Sequence, residues 1–142
     1  MDEAVERGHS AIWCNTIQHF MGNNQAGLEK NLNILETKTL KNVSKKEMSL
    51  KYDYIFFRSL YEKDKSGAEA ILEKMTTPPI HKLRNDNSVF SQHLSLPALG
   101  YAKLAWLTGV EINVASPLIP KELLPIKPLV SYDMPFEFLK TV

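Results

Sequence analysis

The sequence predicts an all-α protein, built as a repeat-like bundle of helical hairpins with a proline-rich C-terminal wrap. Three observations support this prediction. Apolar residues recur every three or four positions in several segments, glycine and asparagine pairs interrupt those segments, and an apolar content of 44% allows one sizeable core. A chain of 142 residues lies near the commonest size of a domain, so residues 1–142 are expected to form a single helical domain.

The first predicted hairpin lies near the N-terminus. Apolar spacing predicts a helix over 4–21, which Gly22 and Asn23 would end. Leu28, Leu32 and Leu35 are spaced four and three apart and predict the apolar stripe of a second, short helix. We expect a loop over 37–44.

The second predicted hairpin follows. Ser44 with Glu47 three residues later has the order of a capping box, which predicts a third helix over 44–63. Its aromatic and aliphatic residues surround nearly the whole helix, so neighbours should cover it on most sides. A turn at 64–67 leads to a fourth helix that ends before Pro78.

A weak internal repeat relates the two hairpins. Four identities lie 40 residues apart: Gly27 and Gly67, Glu29 and Glu69, Leu32 and Leu72, and Thr37 and Thr77. This period is in the range of helical-hairpin repeats, in which each hairpin buries a face against the next. Chance could also produce four identities, so both interpretations stay open.

The remaining sequence predicts a long polar connection over 80–93, with room for a helical turn, and then the central helix over 95–108. Ser95 can cap this helix and Gly109 can end it, while Ala98, Ala102 and Ala105 form a small-residue stripe. Residues 117–142 contain most of the chain's 8 prolines, which exclude a long helix. The many large apolar residues there predict a segment that wraps a surface.

Charge and cysteine content limit the function classes. Lys and Arg number 17 against 16 Asp and Glu, so no overall field favours nucleic acid. Cys14 is the only cysteine, which excludes an internal disulfide and fits a reducing compartment. The acidic N-terminus lacks the order of a secretory signal, and the apolar stretch 94–107 is too short to span a bilayer. We expect a cytoplasmic protein without membrane partners.

No motif predicts catalysis or a cofactor. Gly22 and Gly27 have the spacing that begins a phosphate loop, but Leu28 and Glu29 stand where the loop requires Lys and Ser or Thr. The four histidines lie ten or more residues apart, so no local spacing predicts a metal site. An enzyme whose site is assembled across the fold stays an alternative.

A local basic patch is the clearest charge feature. Between 38 and 51 the chain has five lysines and one acidic residue, Glu47, and Lys41, Lys45 and Lys46 are the candidate partner-binding residues. One interpretation is a solvated loop and helix start. The other is a docking surface for an acidic partner.

The C-terminal half carries a family resemblance. It contains the run Leu-Ser-Leu-Pro-Ala-Leu-Gly-Tyr-Ala-Lys-Leu-Ala at 94–105, then Gly109, and then Ile-Pro-Lys-Glu-Leu-Leu at 119–124. This pattern resembles the C-terminal part of the immunity protein 49 family, which accompanies polymorphic toxins in bacteria. The aromatic helix over 52–61, followed by Lys63 and Asp64, is similar to the middle of the same family.

The resemblance implies a helical, non-enzymatic protein that binds and inhibits a toxin, with no catalytic residues to carry over. Family members are usually longer, so N-terminal helices can be missing here, and a homodimer could then cover the apolar surface left exposed. A general helical-repeat adaptor is the competing function. A toxin gene beside the gene for this protein would favour the immunity function over the adaptor function.

Overall fold

Six α-helices account for most of the described chain. The computed structural model describes residues 3, 5, 10–44, 47–85, 87, 89–128 and 130. The helices are α1 (Ala11–Met21), α2 (Gln25–Ile34), α3 (Leu50–Tyr61), α4 (Lys65–Met75), α5 (Pro78–Arg84) and α6 (Leu96–Leu107). No strand occurs among these residues, so the all-α prediction is confirmed. None of the described helices is long and apolar enough to cross a bilayer.

The helices pack as two sequence-adjacent pairs, and α6 contacts one helix of each pair. Helix α1 packs against α2 and α3 against α4, while α6 contacts both α1 and α4. The predicted apolar stripe of α2 is buried, and so is the alanine stripe of α6, where small side chains let neighbouring helices approach closely. The buried members are Leu28, Leu32, Leu35, Ala98, Ala102 and Ala105.

Aromatic rings fill the centre of the bundle. Phe57 of α3 is fully buried and its ring lies 5.7 Å from Phe20 of α1 and 5.3 Å from Tyr101 of α6. Tyr101 also stacks on Phe56 at 4.9 Å. Such ring pairs stabilise a core beyond the area they bury, and here they join three helices. Trp106 is partly buried, packs against this core and donates its Nε1–H to the carbonyl of Ile112 at 3.1 Å.

The connections between α1 and α2 and between α3 and α4 lead into the same kind of cap. Asn24 caps α2 by accepting the backbone N–H of Gly27 at 3.0 Å, and Asp64 caps α4 by accepting that of Gly67 at 3.0 Å. Each cap stands 40 residues from the other in the chain. The first four backbone N–H groups of a helix have no acceptor within the helix, and each of these caps supplies an acceptor for one of them.

Backbone geometry repeats at the same offset. Asn23 and Lys63, just before the two caps, adopt the left-handed conformation with φ of 51° and 58°. A side chain at Gly27 would meet the His19 ring at 2.6 Å, and one at Gly67 would meet Ser59 Oγ at 2.8 Å. The paired glycines therefore permit close approach of the helices at both hairpin tips.

Two predicted boundaries are wrong. Helix α3 begins at Leu50 rather than Ser44. Ser44 Oγ donates to Glu47 Oε2 at 2.7 Å, so the two side chains bond each other in a separate turn and do not cap α3. The loop expected over 37–44 is largely helical, since a π-helical turn (Leu35–Thr39) and a 3₁₀ turn (Leu40–Asn42) continue α2. No glycine or proline stands there to end the helix.

The predicted polar connection over 80–93 contains part of helix α5 and a 3₁₀ turn (Phe90–Gln92). Pro78 and Pro79 occupy the first turn of α5 after Thr77. Proline is tolerated there, because the first helical N–H groups have no partner within the helix. These prolines therefore follow the end of α4, as the sequence predicts, and also begin α5.

The chain after α6 lies against the bundle in its described part. Val110, Ile112, Val114, Ile119 and Leu124 are buried. Lys103 of α6 donates its ammonium hydrogens to the carbonyls at 123, 124 and 125, at 2.9, 3.1 and 2.9 Å. The ammonium group has three donors, and each has an acceptor here. Leu129 and residues 131–142, which the predicted wrap also includes, lie outside the described residues.

Candidate interaction surface

The predicted basic patch is described only in part. Lys41 is exposed in the 3₁₀ turn that follows α2, and Lys51 is exposed in the first turn of α3. Lys45 and Lys46 lie outside the described residues. The patch therefore stays a prediction, with its solvated-loop alternative equally open.

A second surface surrounds α5, and hydrogen bonds define its shape. His81 donates from Nε2 to the carbonyl of Ser91 at 2.7 Å. Asn85 accepts the N–H of Leu96 at 3.1 Å and donates from Nδ2 to the carbonyl of His81 at 2.9 Å. The Asn85 amide also lies 2.9 Å from Nδ1 of the His81 ring. Both nitrogens of His81 are thus engaged in holding the connection between α5 and α6 against α5.

Large apolar side chains are exposed on this hydrogen-bonded unit. Leu83 is 73% exposed and Val89 69%, while Phe90 and Leu96 are each exposed by about half. Single exposed apolar residues are normal on protein surfaces, but a group of them marks an interaction site. Four such side chains on one short unit therefore identify a candidate interface.

A buried ion pair fastens this unit to the bundle. Arg84 of α5 donates from Nη1 and Nη2 to the two carboxylate oxygens of Asp53 on α3, at 2.9 and 2.6 Å. The side chains of Arg84 and Asp53 are only 15% and 2% exposed. Tyr101 of α6 donates its hydroxyl to Asp53 Oδ1 at 2.5 Å, and Arg84 also reaches the carbonyl of Ser49 at 3.2 Å.

Electrostatics keeps these groups in their bonded states. Burial raises the pKa of the Tyr101 hydroxyl, and the neighbouring Asp53 carboxylate raises it further, so Tyr101 remains a donor. Burial alone would lower the pKa of Arg84, but the hydrogen bonds and charge of Asp53 outweigh it and the pKa is raised. A bidentate pair of this kind fixes orientation as well as charge. Asp53, Arg84 and Tyr101 thus lock α3, α5 and α6 together.

Sequence reasoning missed this triad. We interpreted helix α3 as apolar on most sides, and Asp53 lies within its aromatic run. A carboxylate in such a run needs a buried partner, because an unpaired buried charge is very costly. That signal predicts some cation, but nothing in local spacing points to Arg84, 31 residues further along the chain.

A cavity lies on a different part of the surface. It has a volume of about 330 Å³ and forms where both hairpin tips meet the end of α6, with Met21 and Leu107 among its lining residues. Lys63 also lines it and donates from Nζ to the carbonyl of Thr108 at 3.0 Å. Gly22 follows α1 as its C-cap residue, whereas Gly27 lies in the first turn of α2.

The side chains that could bind a metal ion or react as a thiol are placed as follows. Within the described part of the chain, no three His, Cys, Asp or Glu side chains are grouped so as to hold a metal ion. Cys14 is a free, exposed thiol on α1. The features that stand out in the described residues are exposed apolar side chains, exposed lysines and the buried ion pair of Asp53 and Arg84, all within a helical protein.

Comparison with known families identifies the group. The chain matches the model of the immunity protein 49 family over residues 5–123, and it belongs to that family. The predicted resemblance is therefore confirmed. Immunity protein families are generally non-enzymatic, and their name implies a toxin partner. No curated protein and no solved structure matches the chain significantly.

Proposed function

We propose that this chain is a bacterial immunity protein that binds and neutralises a cognate toxin in the cytoplasm. Its membership of the immunity protein 49 family carries this proposal. Binding can protect a cell without chemistry, because nanomolar occupation of an active site needs only about −12 kcal/mol of association free energy. A helical domain of this size can present an interface of standard area.

Cell survival tests the proposal. Co-expression with the toxin domain encoded beside this gene should rescue cells that the toxin alone kills. The matched control is a toxin from an unrelated system, against which the chain should give no protection. Death of the cells despite soluble immunity protein would refute the proposal.

The basic patch is our proposed contribution to association. Changing Lys41, Lys45 and Lys46 together to Glu should slow association with the toxin more than it speeds dissociation, since long-range attraction acts mainly on the encounter. The effect should shrink as salt is added, because salt screens exposed charges. Stopped-flow or surface-binding kinetics at two or more ionic strengths measures the association and dissociation rates and their salt dependence.

The control for this prediction changes three exposed lysines elsewhere, Lys74, Lys121 and Lys127, to Glu. The net charge changes by the same amount, so a general charge effect would slow both variants alike. Equal association rates and equal salt dependence in the two variants would show that the basic patch is a solvated surface.

The second candidate function is a helical-repeat adaptor. The matching caps and left-handed residues at the two hairpin tips favour it, because repeat proteins reuse one connection at a fixed period. We propose that the hairpins are related units and that the C-terminal segment wraps over α6. An adaptor should bind partners unrelated to a neighbouring toxin. An immunity protein should bind that toxin selectively.

The proposed homodimer has a separate test. Sedimentation of the pure chain would show whether it forms.

A further inference from the structure

We propose that the toxin docks on the surface around α5 and presents there an apolar anchor surrounded by carboxylates. This inference rests on the proposed immunity function and names the part of the protein that performs it. We call this surface the α5 face. It comprises five exposed apolar side chains and two exposed lysines: Met48, Leu83, Val89, Phe90, Leu96, Lys51 and Lys82.

Hydrogen bonds bring the three segments of the α5 face together. Met48 precedes Ser49, whose carbonyl accepts from Arg84, the neighbour of Leu83. The N–H of Leu96 is bonded to Asn85, the residue that follows Arg84. Residues 89–91 return to α5 through the bond from His81 to the carbonyl of Ser91. The apolar side chains therefore belong to one continuous unit although they come from distant positions.

Exposure makes these side chains available to a partner. Met48 is 45% exposed and Leu83 is 73% exposed, with the other three between these values. A few side chains buried at the centre of an interface contribute most of its binding energy, and Phe and Met are enriched at interfaces relative to the rest of the surface. The α5 face is thus suited to receive a complementary apolar group.

The charge around the α5 face selects the chemistry of that partner. Lys51 and Lys82 are exposed, and the described residues between 78 and 96 include no carboxylate. In the sequence of that segment the only acidic residue is Asp86, which lies outside the described residues. The segment that precedes Met48 has Lys41, Lys45 and Lys46 against one exposed carboxylate, Glu47, so it carries an excess of positive charge. A partner with acidic residues around its apolar anchor would complement this arrangement.

The buried links beneath the α5 face hold it in a fixed shape. Asp53, Arg84 and Tyr101 attach α5 to α3 and α6 from below, and His81 with Asn85 fixes the following connection. A surface that is already ordered loses less conformational entropy on binding.

The test compares two single substitutions with the same chemistry. Leu83→Asp places a charge on the α5 face, whereas Met21→Asp places it at the cavity between the hairpin tips, where Met21 is 67% exposed. Calorimetric titration with the toxin domain encoded beside this gene should show Leu83→Asp weakening the dissociation constant at least about tenfold, as expected for a central interface residue. Met21→Asp should change it less than about twofold. Both side chains are exposed, so the melting temperatures of both variants should stay close to that of the native protein.

Each outcome has a definite meaning. Tight binding by the native chain with no loss in Leu83→Asp, or an equal loss in both variants, would overturn the α5 face while leaving the immunity function standing. Loss in Met21→Asp alone would place docking at the cavity instead. If the native chain is a dimer that Leu83→Asp dissociates, the α5 face binds a second copy and our proposal is wrong. If the native chain fails to bind the toxin, the proposed function itself fails.

Discussion

Replacing Asp53 by alanine should lower the free energy of unfolding by about 3–5 kcal/mol, the usual cost of leaving one partner of a buried ion pair alone. The variant leaves the Arg84 guanidinium largely buried without its carboxylate, and it removes the acceptor of the Tyr101 hydroxyl. Chemical denaturation followed by circular dichroism measures the change.

Two further variants sharpen this prediction. The pair Arg58 and Glu62 is also an Arg–carboxylate pair on α3, but both side chains are about half exposed. Glu62→Ala should therefore cost less than about 1 kcal/mol. Adding Arg84→Met to Asp53→Ala should recover part of the loss, because it removes the unpaired charge. If Asp53→Ala costs no more than Glu62→Ala, the triad does not hold the three helices together.

Removing the chain from Pro117 onward should give insoluble protein. The deletion takes away the buried side chains of Ile119 and Leu124, and it leaves Lys103 without its three carbonyl acceptors. The backbone N–H of the buried Ser95 also loses its partner, the carbonyl of Leu118 at 2.9 Å. Apolar surface uncovered on α6 would then promote aggregation.

Adjacent leucines provide a milder, matched version of the same test. Leu124 is 1% exposed and Leu123 is 51% exposed. Leu124→Ala should cost about 2–5 kcal/mol, whereas Leu123→Ala should stay within about 0.5 kcal/mol of the native protein. A soluble and fully folded truncation would show that the segment is not needed for the fold and would suggest that it is reserved for a partner.

The sequence predicted the features that depend on local periodicity. Leu28, Leu32 and Leu35 are buried because residues three and four apart share a helix face, whatever the rest of the fold does. The end of α1 near Gly22 follows from turn chemistry in the same way. Such signals need no knowledge of which helices meet.

Other features could not be predicted, because they depend on distant contacts. Asp53 pairs with Arg84 only after α5 has packed against the bundle, and the α5 face exists only because His81 and Asn85 hold a polar connection in place. Ser44 and Glu47 bond each other through their side chains in a separate turn, so the predicted capping box did not form. The spacing of the two residues was therefore not enough to show where α3 begins.

Direct titration of the toxin tests the central proposal that this protein protects by binding. The native chain is added in steps to the purified toxin domain encoded beside it, and both the heat of binding and the remaining toxin activity are measured. We expect a saturable complex with a dissociation constant near the nanomolar range, which corresponds to about −12 kcal/mol, and toxin activity that falls to zero as the complex saturates. An absence of binding heat together with undiminished toxin activity would contradict the account.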